Sequence, residues 1–102
     1  MNNVIRFWLE RGTSGFRIDM IDFLAKDAQF RDESTSTLSD GDYVATSQYH
    51  INQPETKQYV RELQQIINDY PDALSIGEVG YHLSLSQLLD WAADVLDIAF
   101  NF

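Results

Sequence analysis

Gly15-Phe16-Arg17-Ile18-Asp19-Met20 is the stretch from which the fold can be read. Phe16, Ile18 and Met20 share one parity, and Arg17 and Asp19 share the other. Alternation with period two, in residues that favour pleated backbone, predicts a short buried strand ending in an acid. A charged pair on the second face of so apolar a strand must be mutually satisfied if that face is buried. In parallel α/β proteins, polar residues at the carboxyl ends of strands are where chemistry sits. Asp19 is therefore the first candidate for a working residue, with Arg17 as the group that orients it. On spacing alone, an ion pair that merely closes a strand end fits equally well.

Upstream, Val4, Phe7 and Trp8 recur at i, i+3, i+4, with Ile5 and Leu9 widening the stripe. This predicts an amphipathic helix from about Asn3 to Arg11, ended by Gly12 and joined to the strand by Thr13-Ser14. Downstream, Ile21 to about Lys26 stays apolar and reads as a helical turn or a continuation of the strand. Residues 27–53 have loop composition, with Ser34-Thr35-Ser36-Thr37 and Ser39-Asp40-Gly41-Asp42 as turn signals. So long a loop in a compact domain is usually functional or disordered. It leaves from the same end of the strand as Asp19, and Tyr43, Tyr49 and His50 near its close suit a ligand-facing loop or ordinary solvent exposure.

Pro54-Glu55 opens a helix with Asn52 or Gln53 as cap. Val60, Leu63, Ile66, Ile67 and Tyr70 follow at helical spacing, with Pro71 just beyond the end. Ala73 to Gly80 reads as a second buried strand, again closed by an acid, Glu78. Ser84 to Gln87 has the form of a capping box before a short helix carrying Leu85, Leu88, Leu89 and Ala92. Leu96 to Phe102 reads as a third strand. The order α-β-loop-α-β-α-β implies an α/β fold with a parallel sheet.

The 102 residues suffice for one small domain, and 44% hydrophobic with 13% aromatic residues are globular values. A net charge of −9 argues against nucleic acid and anionic membrane as partners and fits a protein that handles neutral substrates. With no cysteine there is no disulfide or thiolate metal site. No apolar run approaches a membrane span, and no signal peptide is visible, so a cytoplasmic location is expected. Asp40-Gly41-Asp42 lacks the ligand spacing of a calcium loop, His50 and His82 lack metal spacing, and no glycine-rich phosphate loop occurs. No metal or cofactor is expected.

Asp19 and Glu78 fall near the carboxyl ends of successive parallel strands. Adjacent parallel strands lie roughly 4.8 Å apart. Two carboxylates so placed can approach the separation of about 5–5.5 Å used by retaining glycosidases. Arg17 beside Asp19 would keep it ionised as the nucleophile. Glu78, with no cation near it in sequence, would keep its proton as the acid.

Gly15-Phe16-Arg17-Ile18-Asp19 resembles the nucleophile motif of the α-amylase superfamily, glycoside hydrolase family 13. Leu74-Ser75-Ile76-Gly77-Glu78 resembles its acid/base motif on the next barrel strand. Phe23-Leu24-Ala25-Lys26-Asp27, Asn52-Gln53-Pro54-Glu55, Ile67-Asn68-Asp69-Tyr70-Pro71 and Phe100-Asn101-Phe102 resemble the α-glucosidase and oligo-1,6-glucosidase branch. The resemblance runs over nearly the whole chain and is weakest over 28–48. It implies a partial (β/α)8 TIM barrel, about strands 4 to 6 with their intervening helices. Residues 1–102 would be a fragment of one catalytic domain, with 27–53 a loop on the active-site face and the remainder of the barrel needed for a complete site.

By the same resemblance Asp19 is nucleophile, Glu78 general acid/base, and Arg17, Met20 and His50 contact an α-linked gluco-oligosaccharide or hold the nucleophile. The family's third carboxylate, in an N-H-D motif, and its upstream D-x-x-x-N-H motif are not in these residues. Met20 follows the nucleophile where valine is associated with α-1,6 and alanine or threonine with α-1,4 linkages. It matches neither, so the linkage stays open. The implied activity is hydrolysis of α-glucosidic bonds with retention. A transglycosylase of trehalose-synthase or amylosucrase type, and a non-catalytic scaffold homologue, are the alternatives. On its own, such a segment would leave sheet edges exposed and is expected to be inactive and marginally folded.

Overall fold

The computed structural model describes the chain except residues 38–42, 46–48, 81–83 and 102. For residues 36–37, 43–45, 92, 94 and 101 it describes only the backbone. Among the described residues nine elements follow in order: α1 (Asn2–Leu9), β1 (Gly15–Ile18), a 3-10 turn (Ile21–Phe23), β2 (Thr35–Thr37), β3 (Tyr43–Ala45), α2 (Pro54–Asn68), β4 (Leu74–Val79), α3 (Leu85–Asp94) and β5 (Ile98–Asn101).

The central sheet has the order β1-β4-β5 and is parallel throughout. Helices α2 and α3 make the two crossovers, as parallel neighbours require. Register runs from Gly15↔Leu74 to Ile18↔Gly77 on one side, and from Ile76↔Ile98 to Val79↔Asn101 on the other. Gly15 opens β1 with φ 138°, and a β-carbon there would overlap the Leu74 carbonyl, so the start of the pairing requires a glycine. The polar stretch after β1 is not wholly irregular: β2 and β3 pair antiparallel, Thr35↔Ala45 to Thr37↔Tyr43. Asp40, Asp42 and His82 lie outside the described residues, as does the side chain of Tyr43.

All three helices pack through one side of the sheet. One apolar cluster joins Ile21, Val60, Val79, Trp91, Val95 and Leu96. A second joins Ile5, Leu9, Leu63, Ile66 and Ile67. Ile18 touches both clusters and Phe16 the second, so β1 turns its apolar parity to the helices and Arg17 away from them. Val79 belongs to the helical side, and Ile76 and Glu78 have the opposite parity.

Two helical stripes differ from the sequence expectation. In α1 the buried residues are Ile5 and Leu9, whereas Val4, Phe7 and Trp8 are exposed. The partner sets this: α2 offers Leu63, Ile66 and Ile67, and Ile5 and Leu9, four residues apart, stand over them. Phe7 and Trp8 instead pack edge to face on each other, and Arg11 lies over the Phe7 ring. In α3 the inward side is Trp91 and Leu88, and Leu85 and Leu89 are exposed. The side chain of Ala92 is outside the described residues.

Helix starts follow the local chemistry. Ser84 and Gln87 form the reciprocal capping box at α3. Pro54 occupies the first turn of α2 after Gln53, which caps by position; its side chain makes no capping hydrogen bond and donates to the Ile51 carbonyl (3.2 Å).

At the amino ends of the strands, Ser75 and Asp97 tie β4 to β5. Asp97 Oδ2 accepts from the Ser75 backbone N–H (2.8 Å), the Ser75 hydroxyl (3.0 Å) and the Gln64 amide (3.1 Å), and the Asp97 N–H donates to Ser75 Oγ (3.0 Å). The Ser75 N–H holds the Asp97 carboxyl below its ordinary value, against a smaller opposing effect of burial, with Gln64 and the Ser75 hydroxyl adding to the lowering. A depressed carboxyl pKa stabilises the fold above the unfolded value, and that contribution is lost as pH falls through the folded value. Asp97→Ala strands buried donors on Ser75 and is expected to cost about 1–3 kcal/mol. Urea titration of the folded domain at neutral pH checks this, and the gap between variant and parent should close toward acid pH.

Candidate active site

The site is built where β1 and β4 end. The last registered pair is Ile18↔Gly77, so the next residues, Asp19 and Glu78, leave neighbouring strands side by side at their carboxyl ends. Strand β1 stops at Ile18, one residue short of the acid, and Asp19 opens the turn that follows. Met20 then takes a left-handed conformation (φ 43°, ψ 55°), which ends the strand and starts the 3-10 turn.

Arg17 joins the two acids. Its Nη2 donates to Glu78 Oε2 and lies 3.4 Å from Asp19 Oδ1. The sequence placed the arginine with Asp19 alone and left Glu78 without a cation. In the folded chain the guanidinium's hydrogen bond goes to Glu78, because a parallel neighbour brings residue 78 closer to residue 17 than local sequence can show. The surroundings of the acids differ. The Glu78 side chain is 4% exposed and that of Asp19 71% exposed.

The Glu78 carboxyl is pushed above its usual range. Its hydrogen bond with Asp19 is the largest cause and burial the next, and together they outweigh the lowering by Arg17. A buried carboxyl raised in this way beside a second, solvent-facing one is the asymmetry an acid–nucleophile pair needs.

The other candidates lie in the loop. His50 Nδ1 stands 2.6 Å from Glu33 Oε1, and its ring is 5.7 Å from that of Phe23. Its described contacts are therefore with the loop and the turn after β1, not with the acids. The Tyr49 N–H also donates to Glu33. Arg31 donates its backbone N–H and guanidinium to Asp27, lowering that carboxyl to about 2, and stacks 4.3 Å from the Tyr49 ring centre. With the Asp27 N–H donating to the Tyr49 carbonyl (2.8 Å), these contacts fasten the two ends of the loop together. A cavity of about 210 Å³ lies there, with Phe30, Arg31, Tyr49 and His50 in its lining.

One site-adjacent residue escaped the sequence reading. Asp22, fully buried, accepts a hydrogen bond from the Gly80 N–H (3.2 Å). Its signal was present as an acid inside the apolar run Ile21-Asp22-Phe23-Leu24-Ala25. Among the described residues, no group of three or more histidines, cysteines, aspartates or glutamates is arranged to hold a metal ion. Among them too, no helix is long and apolar enough to cross a membrane.

At the carboxyl ends of adjacent parallel strands, then, two acids are joined by one arginine. The chain belongs to the α-amylase family: residues 1–102 match the family described as "Alpha amylase, catalytic domain". It is 36% identical over 89 residues to an alpha-glucosidase of Schizosaccharomyces pombe, covering 87% of this chain and 15% of that protein. It is 30% identical over 76 residues to an oligo-1,6-glucosidase of Bacillus cereus, covering 74% of this chain and 13% of that one. Among solved structures, an alpha-glucosyl transfer enzyme superposes with a TM-score of 0.78 at 31% identity, over 96% of this chain and 20% of its own. The chain thus spans about a fifth or less of the length of these relatives.

Proposed function

We propose that this chain carries the nucleophile and the acid/base of a retaining α-glucosidase and forms about strands 4 to 6 of its (β/α)8 barrel, the rest being supplied by chain beyond these residues. The observation that carries the reading is the Arg17 bridge between Asp19 and a buried Glu78 whose carboxyl is raised. The substrate is a small α-linked gluco-oligosaccharide.

In the first step the Asp19 carboxylate attacks the anomeric carbon while Glu78 gives its proton to the departing glycosidic oxygen. In the second, Glu78, now ionised, takes a proton from water, which attacks the same carbon and releases Asp19. Two inversions give net retention. Arg17 serves both steps: it lies 3.4 Å from the attacking Asp19 oxygen and is already placed on the Glu78 carboxylate that the first step creates. No cofactor enters this chemistry. Met20, displayed by its left-handed turn beside the nucleophile, and His50, at the foot of the 27–53 loop, are the proposed substrate contacts.

Transfer of the glucosyl group to a sugar in place of water is the second reading. The likeness to the alpha-glucosyl transfer enzyme favours it, as does a trehalulose synthase with a TM-score of 0.67 at 26% identity. Both readings share the first step, so one experiment tests them together. The full polypeptide is given an α-linked disaccharide, and the anomeric configuration of the first-formed product is followed by NMR. An α product is expected. A β product, or no turnover of any α-glucoside, overturns the proposal, and the ratio of free glucose to transferred glucose separates water from sugar as acceptor.

A further inference from the structure

Asp22 is costly where it stands. It is 0% exposed, its Oδ1 has the Gly80 N–H at 3.2 Å, and among the described residues its Oδ2 has no hydrogen-bond partner. A buried carboxylate oxygen without a donor destabilises a fold relative to an apolar side chain of similar shape. Packing alone therefore gives no reason for an aspartate here.

Its position does give one. Asp22 lies three residues after Asp19, inside the 3-10 turn whose Phe23 N–H donates to the Met20 carbonyl (3.0 Å). Gly80 lies two residues after Glu78, where β4 has just ended. The bond from Gly80 to Asp22 thus fastens the chain leaving one acid to the chain leaving the other. The fit is close: a β-carbon on Gly80 would stand 2.8 Å from Asp22 Oδ2. The Asp22 carbonyl also accepts the Asn52 N–H (2.8 Å), and Asn52 itself is left-handed (φ 53°) at the entry to α2. One residue anchors three segments of the face that bears the acids.

We propose that Asp22 is a positioning residue for Glu78: by holding the Gly80 N–H it sets the direction in which the acid/base carboxyl meets the glycosidic oxygen. The inference rests on the acid/base reading of Glu78. The effect is geometric and does not act through charge: Asp19, burial and Arg17 are what shift the Glu78 carboxyl, and Asp22 is not among the causes. An asparagine that still accepts from Gly80 should therefore serve.

The test is the leaving-group dependence of kcat/KM in the full polypeptide. A sugar leaving group needs its proton; 4-nitrophenolate barely does. Asp22→Ala is expected to lower kcat/KM about 10–100-fold on an α-linked disaccharide and less than about 3-fold on 4-nitrophenyl α-glucoside, since general acid catalysis is what has been lost. Asp22→Asn should restore the disaccharide rate to within about 3-fold of the parent. Gly80→Ala, which presses a methyl group onto Oδ2 and leaves Asp22 in place, should reproduce the selective loss if Asp22→Ala does not fold. Equal losses on both substrates, or no loss on either, overturn the inference. Glu78→Gln is measured alongside. If it spares the disaccharide rate, the acid/base reading itself falls and the inference with it. If it removes that rate while the Asp22 and Gly80 variants match the parent, only the inference falls.

Discussion

Asp19→Ala is expected to lower kcat of the full polypeptide by about 10⁴-fold or more, the scale on which loss of a nucleophile is felt. The fold should barely register the change. The Asp19 side chain is 71% exposed and lies just past the last paired residue of β1, and substitutions at such positions usually stay within about 0.5 kcal/mol. Activity and melting temperature should therefore separate cleanly, which an ion pair serving only to close the strand would not allow. Added azide gives a sharper check. With the carboxylate gone, azide occupies its side of the anomeric carbon and displaces the leaving group while Glu78 still supplies the proton. The product is the β-glucosyl azide, formed by a single inversion. A variant that keeps a substantial rate without azide would remove Asp19 from the mechanism.

Glu78→Gln is expected to lower kcat/KM on a disaccharide by about 10²–10⁴-fold, the usual worth of a placed general acid, and to spare 4-nitrophenyl α-glucoside in comparison. On the activated substrate the slow step becomes attack of water on the glucosyl-enzyme, because the base is missing. Azide needs no base, so it should restore that step and yield the α-glucosyl azide. Opposite azide configurations from the two variants would assign the two roles without appeal to any relative. The pH dependence carries a sign as well. In the proposed mechanism the protonated form of Glu78 is the competent acid, and its carboxyl is raised by Asp19 and by burial. The parent's kcat/KM should therefore fall as pH rises through a value above the ordinary glutamate range, and this limb should vanish in Glu78→Gln. Stability follows the same linkage. A raised carboxyl pKa means the folded state binds the extra proton, so this group's contribution to stability declines as pH rises through the folded value. Glu78→Gln, which cannot ionise, should flatten that decline and be neutral or stabilising near neutral pH, as expected where an active site trades stability for function. A variant that loses stability as well as rate would show that Glu78 serves the fold.

Much of the architecture could be read from local pattern. Alternation at Phe16-Arg17-Ile18 gave a strand, helical spacing from Val60 to Ile67 gave α2, and Ser84 with Gln87 gave the start of α3; all three are present. Polar composition hid the β2–β3 hairpin, because Ser34-Thr35-Ser36-Thr37 carries turn signals and strand propensity together. The stripe on α1 was misassigned for a different reason. Val4, Phe7 and Trp8 are as apolar as Ile5 and Leu9, and periodicity shows that a helix has an apolar side without choosing among overlapping stripes.

Sequence by itself determined the order of the three helices and the three strands of the central sheet, the parallel pairing that order imposes, and the placement of an acid toward the end of each of two strands. These follow from periods of two and 3.6 residues and from the short reach of turns and caps, all of them local quantities. Tertiary structure alone decided which groups those acids meet. Arg17 reaches Glu78 across 61 residues of chain, and Gly80 reaches Asp22 across 58. It also decided that Ser75 and Asp97 lock the opposite end of the sheet and that α1 turns Ile5 and Leu9 inward. No local pattern encodes such contacts, because they form only once the crossovers have set β1, β4 and β5 in register. Arg17 began as a partner for the acid two residues away. Register made it the bridge between two acids, a buried Glu78 with its carboxyl raised and an exposed Asp19.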